Sequence, residues 1–137
     1  MPAKDLYHDT VKIALIKDGW TITEPFPLKV GKRDLLIDLG AEKLLIADRA
    51  QQKIAVEVKS FISASPVSDL EQALGQYLLY EDLMQIQYPD RILYLAIRNT
   101  VYNTFFQEPI VQIVLKRRNL NLLIFDETQE AILQWIP

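Results

Sequence analysis

One short segment, Ile54-Ala55-Val56-Glu57-Val58-Lys59, constrains the fold more than any other. It is rich in Ile and Val and bounded by charged residues, which predicts a strand. Strand side chains alternate in direction. Ile54, Val56 and Val58 therefore share one face, and Ala55, Glu57 and Lys59 share the other. The expectation is a helix-covered core on the first face. The second carries a carboxylate and an ammonium two residues apart, aimed at one point.

The flanking segments supply the rest of the layout. Lys4 to Asp18 predicts a helix, with Leu6, Tyr7, Val11, Ala14 and Leu15 at helical spacing and Gly19 as its stop. Trp20 to Thr23 fits a short strand. Pro25-Phe26-Pro27 breaks the pattern, and Gly31-Lys32-Arg33 fits a turn. Asp34–Leu39, Lys43–Asp48 and Lys53–Lys59 then predict three strands, with Gly40-Ala41-Glu42 and Arg49-Ala50-Gln51-Gln52 as the turns of an antiparallel meander. Ser65 caps a helix that begins at Pro66 and runs to about Gln85. Arg91–Ile97 is a buried strand, Glu108-Pro109 opens a helix to Arg118, Leu120–Phe125 is a strand, and Ala131–Ile136 is a last edge strand. The order predicts an α/β (α+β) fold with a mixed central sheet flanked by helices. Its 137 residues fit one domain, 1–137.

Composition excludes several chemistries. The chain has no cysteine, so disulfides, thiol catalysis and cysteine-held zinc are out, and a cytoplasmic protein is expected. A single histidine leaves little scope for a histidine-rich metal site. The polar start and the absence of a long apolar run predict neither a signal peptide nor a membrane span. The formal net charge of −3 does not advertise nucleic-acid binding. Contact with DNA would need a bound metal or local patches such as Lys29, Lys32 and Arg33. Lys116-Arg117-Arg118 ends a helix, where cations complement the helix dipole.

Asp38 ends the second apolar strand, and a meander could bring it to Glu57. Two carboxylates, with the Val58 carbonyl, suit a hard divalent cation such as Mg²⁺ or Mn²⁺. Such an ion neutralises phosphate charge and yields hydroxide near neutral pH. Lys59 would orient or deprotonate the attacking water and stabilise developing charge. An acid-x-lysine triplet alone says little, since chance supplies about one in a chain of this composition. An ion pair on an edge strand is the plain alternative. Gln76 and Tyr80, four apart on the following helix, share a polar border where a site could sit. His8 on the first helix could face the site, Asp34 shares a face with Asp38, and Tyr102, Phe105 and Phe106 fit core or partner-facing packing.

Taken together, Asp38, Glu57-Val58-Lys59 and Gln76-x-x-x-Tyr80 resemble the PD-(D/E)xK nuclease superfamily, whose branches with a Gln-x-x-x-Tyr helix include recombination-associated nucleases. Ile37 stands where the superfamily has its proline, a position that does not touch the metal. More narrowly, Lys17-Asp18-Gly19-Trp20-Thr21-Ile22-Thr23, Ile37-Asp38-Leu39-Gly40-Ala41-Glu42, Ala55-Val56-Glu57-Val58-Lys59-Ser60-Phe61 and Ala73-Leu74-Gly75-Gln76-Tyr77 resemble the XisH family across nearly the whole chain. XisH proteins are cyanobacterial excision controlling factors for the fdxN element, which interrupts a nitrogen-fixation gene. The resemblance implies a restriction-endonuclease-like fold with Asp38, Glu57, Lys59 and Gln76 as site residues, Asp38 and Glu57 as metal ligands, and Tyr80 and His8 as accessories. It implies DNA, the companion factor XisI and a separate site-specific recombinase as partners. It does not imply catalysis, because controlling excision does not require cutting, so a regulatory module that keeps the fold stays open. The C-terminal edge strand or the aromatics around Phe105 could also support a homo-oligomer.

Overall fold

The computed structural model describes residues 5–44 and 51–137. Helix α1 (His8–Lys17) precedes strands β1 (Thr21–Thr23), β2 (Phe26–Val30), β3 (Arg33–Ile37), β4 (Leu39–Leu44) and β5 (Gln51–Val58). There follow α2 (Pro66–Gln87), β6 (Arg91–Arg98), α3 (Asn99–Asn103), a 3-10 turn (Phe105–Gln107), α4 (Pro109–Arg118), β7 (Leu122–Asp126) and β8 (Ala131–Ile136). Six strands form one sheet in the order β1-β4-β5-β6-β7-β8, and β2 with β3 forms a separate hairpin. The β5-β6 and β6-β7 pairs are parallel and the other pairs antiparallel. This is the expected mixed central sheet flanked by helices.

Local chemistry explains the connections. A parallel β5-β6 pair needs a long crossover, which α2 provides. Its start is fixed by Ser65, whose side chain accepts from the Ser68 amide, and by Pro66 in the first turn. The three parallel strands are covered on both sides where they cross the core, so Ile54–Val56, Leu93–Ile97 and Leu122–Phe125 are apolar apart from Tyr94. Ala55, Tyr77, Leu93, Leu95, Ile97 and Phe106 pack in the layer on the α2 side. Val11, Leu15, Leu39, Val56, Ala96 and Phe125 pack in the layer beneath α1. No helix among the described residues is long and apolar enough to cross a membrane.

Several local expectations are corrected. Both faces of β5 carry core, because Ala55 is fully buried and only the strand end from Glu57 onward reaches a site. Gly40-Ala41-Glu42 is not a turn; it lies within β4, paired with β1 on one side and β5 on the other. The predicted strand Asp34–Leu39 is two strands: β3 ends at Ile37, Asp38 occupies a bend, and β4 starts at Leu39. The expected strand Lys43–Asp48 and the turn after it lie partly outside the described residues, as does Lys4 at the expected start of the first helix. The sequence pattern announces neither strand β2 nor the short helix α3. Pro25 and Pro27 mask β2, yet proline is tolerated in a two-stranded hairpin where an amide can be left unpaired.

Gly40 explains how the hairpin closes on the sheet. A Cβ there would lie 2.6 Å from Phe26 Cδ1 and 3.2 Å from Cγ. The Phe26 ring is held between the Tyr88 ring, with centroids 4.7 Å apart, and the Arg91 guanidinium 4.4 Å from its centroid. Gly40→Ala should therefore overpack this junction and destabilise the protein by about 1–3 kcal/mol. The check is the urea midpoint, and an unchanged midpoint would show that Phe26 can move aside.

Candidate functional site

The β4-β5 ladder ends where Leu39 faces Val56. The next rung is made by a side chain: Val58 N donates to Asp38 Oδ2 at 2.8 Å. Two residues on, Ser60 N donates to Asp5 Oδ2 at 2.9 Å, while Asp5 Oδ1 accepts from Tyr7 N at 3.0 Å. Between them Lys59 N turns the other way and donates to Ala96 O at 3.1 Å. The end of β5 is thus held by two carboxylates on one edge and by β6 on the other. Sequence reasoning misses Asp5. It precedes α1, where an aspartate resembles an ordinary helix-start residue.

These groups open onto a cavity of about 380 Å³ whose lining includes Asp5, Asp38, Glu57, Lys59, Gln76 and Tyr80. Asp34, Leu35 and Leu36 of β3 line it as well. The structure therefore brings together Asp38, Glu57, Lys59, Gln76 and Tyr80, which are spread over 43 residues of chain, counted inclusively. Lys59 Nζ lies 3.3 Å from Gln72 Oε1, so the ammonium leans toward the first half of α2. Gln76 is exposed and Tyr80 half-buried. His8 does not line the cavity. It is buried, with Nε2 2.6 Å from Glu24 Oε2, and Lys12 bonds the other oxygen of Glu24. It is still near enough to favour ionised Asp38.

Burial sets the electrostatics. Glu57 is 8% exposed, and its Oε2 has no hydrogen-bond partner. Burial first, and the Asp38 charge second, push the Glu57 carboxyl up to about 9, with Lys59 offsetting part of the rise. Burial also raises Asp38, while the Val58 amide pulls it back. Tyr80 is raised by burial and then by the charges of Glu57 and Asp38. Both carboxyls are shifted toward holding a proton, and the proton belongs to the pair.

The donor set suits a hard cation. It consists of two carboxylates, one with an orphaned oxygen, and the Val58 carbonyl, which leaves the strand on the same edge as the Val58 amide bound by Asp38. Among the described residues no group of three or more His, Cys, Asp or Glu side chains gathers at metal-binding spacing. Two carboxylates fit a cation that keeps several waters, as Mg²⁺ does.

The XisH protein family model matches residues 1–133. The chain is similar to a crystal structure of an XisH family protein from Nostoc punctiforme PCC 73102, with 41% identity, a TM-score of 0.87, and coverage of 97% of this chain and 100% of that one. It is equally similar to the structure of an fdxN element excision controlling factor protein from Anabaena variabilis, with 41% identity, a TM-score of 0.88, and coverage of 98% and 100%. None of the curated proteins compared matches the chain.

Two outcomes follow from this geometry. The Glu57 carboxyl is raised in the folded protein, so the folded state holds a proton that the unfolded chain loses above about pH 4.5. Its contribution to stability is complete below that pH and is lost as pH rises toward 9. Glu57→Gln should flatten the fall in stability across this window, measured by urea unfolding at several pH values; an unaltered slope would mean that Glu57 is ionised when folded. Asp5→Ala should cost about 1.5–3 kcal/mol, because two amides lose a charged acceptor. Unfolding by urea at pH 7 measures it, and a loss below about 0.5 kcal/mol would mean that water replaces the carboxylate.

Proposed function

Because the chain belongs to the XisH protein family, we propose that it is a controlling factor for programmed DNA-element excision that acts through a divalent-cation site of PD-(D/E)xK type. The observation that carries this reading is the pairing of half-buried Asp38 with buried Glu57, which has an unpartnered oxygen, beside Lys59 and Gln76 in one cavity. Two like charges in one dry site raise each other's proton affinity at a cost in stability. A bound cation removes that cost, which gives the arrangement a purpose that an ion pair on an edge strand would not have.

Asp38, Glu57 and the Val58 carbonyl would hold Mg²⁺ or Mn²⁺. When bound, the cation would neutralise phosphate charge and lower the pKa of water. The chain's own groups do the remaining work. Lys59 swings from Gln72 to the phosphate, where its ammonium stabilises charge as it develops. Gln76 accepts or donates a hydrogen bond at the cavity wall and fixes the orientation of a water or of Glu57. Tyr80 closes the wall and limits solvent. The substrate of this reading is a DNA phosphodiester in a restriction-endonuclease-like fold. The companion factor XisI and a site-specific recombinase are its expected partners, in a cytoplasmic setting. A second copy would add at β8, the C-terminal outer strand, rather than at Phe105, whose ring packs on Phe61 and Phe106 with centroids 6.0 Å away from each.

A second reading keeps the fold and the cation but not the cutting. It is favoured by the hydrogen bond that engages Lys59 with Gln72 and by the net negative charge of the chain. In that case the protein regulates through partner contacts or DNA shape.

Thermal unfolding with and without Mg²⁺ or Mn²⁺ tests the site, and a cleavage assay with and without the companion factor separates the readings. Cation at a hundredfold excess over Kd should add about 2.7 kcal/mol of stability to the wild type. Asp38→Ala should abolish that gain and lower the stability of the cation-free protein by about 1–3 kcal/mol, because the Val58 amide loses its acceptor. Lys59→Ala should keep the gain and lose cleavage. No metal-dependent shift in the wild type would reject the cation site. A shift without cleavage under any condition would select the regulatory reading. Gln76→Ala should lower any cleavage with little change in urea midpoint.

A further inference from the structure

The β2-β3 hairpin stands apart from the main sheet, and its two ends differ in character. At its base Phe26, Leu28 and Ile37 are buried in the core. Gln87 Nε2 donates to Lys29 O at 2.8 Å and Tyr88 Oη donates to Pro27 O at 3.3 Å, which ties β2 to the end of α2. The ladder runs to Val30 opposite Arg33, so the ribbon is ordered up to its turn. Gly31 supplies the positive φ of 59° that this tight turn needs. From Lys29 to Asp34 every residue is exposed. Lys29, Lys32 and Arg33 place three cations in five residues, and the ion pairs among the described residues use other side chains.

This tip is continuous with the cavity. Asp34, Leu35 and Leu36 form one of its walls, and Arg33 and Lys32 follow directly outward. From Ile37 to Arg33 the strand spans roughly 13 Å at ~3.3 Å per residue, with Asp38 in the bend just beyond it. In duplex DNA that distance is about four base pairs. A two-stranded ribbon also fits the major groove, which is about 12 Å wide. The cavity itself is acidic: Asp5, Asp34, Asp38 and Glu57 line it beside one cation, Lys59. The other cationic cluster does not share the site, since Lys116 lines a separate cavity with Tyr102 and Ile136.

We propose that the β2-β3 hairpin is a DNA-gripping wing, with Lys32 and Arg33 at its tip holding duplex phosphates somewhat less than half a helical turn from the phosphate at the Asp38–Glu57 cavity. The proposal rests on the DNA reading above and adds where the duplex lies. The wing explains how a chain of negative net charge engages a polyanion. Cations on a rigid ribbon act locally, within a Debye length of about 8 Å, so bulk charge does not decide the contact.

The test is fluorescence anisotropy of a labelled duplex with the full chain, without added divalent cation, over a series of NaCl concentrations. Lys32→Ala/Arg33→Ala should weaken binding by on the order of tenfold or more and reduce the salt slope by about 2, one for each phosphate that the side chains no longer neutralise. Lys116→Ala/Arg117→Ala should leave both unchanged. The Mn²⁺-dependent thermal shift should be the same in the tip variant as in the wild type, which shows an intact cavity. Duplex binding by the tip variant equal to wild type would overturn the wing while leaving the DNA reading standing. No duplex binding by wild type at any salt would overturn the DNA reading and the wing with it. Tighter binding of a single-stranded RNA of equal length, abolished in the same variant, would overturn the assignment to duplex DNA.

Discussion

The hydrogen bond from Val58 N to Asp38 Oδ2 is the contact on which the site depends. Backbone pairing between β4 and β5 stops at Leu39 and Val56. Without a substitute acceptor the Val58 amide would be buried and unpaired, at a cost of about 1–3 kcal/mol. Asp38 fills that role only because the chain bends between β3 and β4, which turns its carboxylate onto the strand edge. The same bend sends β3 away from the main sheet into the hairpin. One residue therefore ends a ladder, starts a second sheet and delivers a carboxylate to Glu57.

Asp5 repeats the device two residues further along. The alternation of strand amides makes this natural: Val58 and Ser60 face one edge, and Lys59 faces β6. Arg98 completes the frame by donating to Ser60 O at 2.9 Å while its guanidinium lies 4.9 Å from the Tyr7 ring centroid. The end of β5 is tied to the segment before α1, to the β3-β4 bend and to β6. Such over-determination holds groups in an arrangement they would not choose unaided.

Much of this is legible in the sequence, and the failures have physical causes. The alternation in Ile54–Lys59 and the cap at Ser65-Pro66 are local signals, and both lead to the right elements. Gly40-Ala41-Glu42 suggests a turn because glycine is a weak strand former. Its real reason is non-local: Phe26 from the hairpin presses against that strand and leaves no room for a Cβ. Strand β2 is hidden by Pro27 within it and Pro25 before it for a similar reason, since only its partner β3 and the cover of Tyr88 make it a strand. At the site, Asp38, Glu57, Lys59, Gln76 and Tyr80 can be brought together by spacing and by resemblance. Asp5 cannot, because nothing near it in sequence reports that its carboxylate binds an amide 55 residues away.

The chain's treatment of another buried charge sharpens the meaning of Glu57. The Arg91 side chain is 8% exposed, and its guanidinium donates to Ile54 O at 2.7 Å, to Ala41 O at 3.3 Å and to Glu42 Oε1 at 2.9 Å. The fold thus satisfies most of a buried ion with a cross-sheet network, leaving only its Nε without a partner. Glu57 is as enclosed, yet one of its oxygens has no donor, the charge that acts on it most is another carboxylate, and Lys59 leans toward Gln72. A purely structural glutamate would gain from the kind of partners that Arg91 has. An apolar residue of similar volume would avoid the desolvation cost altogether. On the reading proposed above, a divalent cation shared with Asp38 would offset that cost, in the place that a proton holds in its absence.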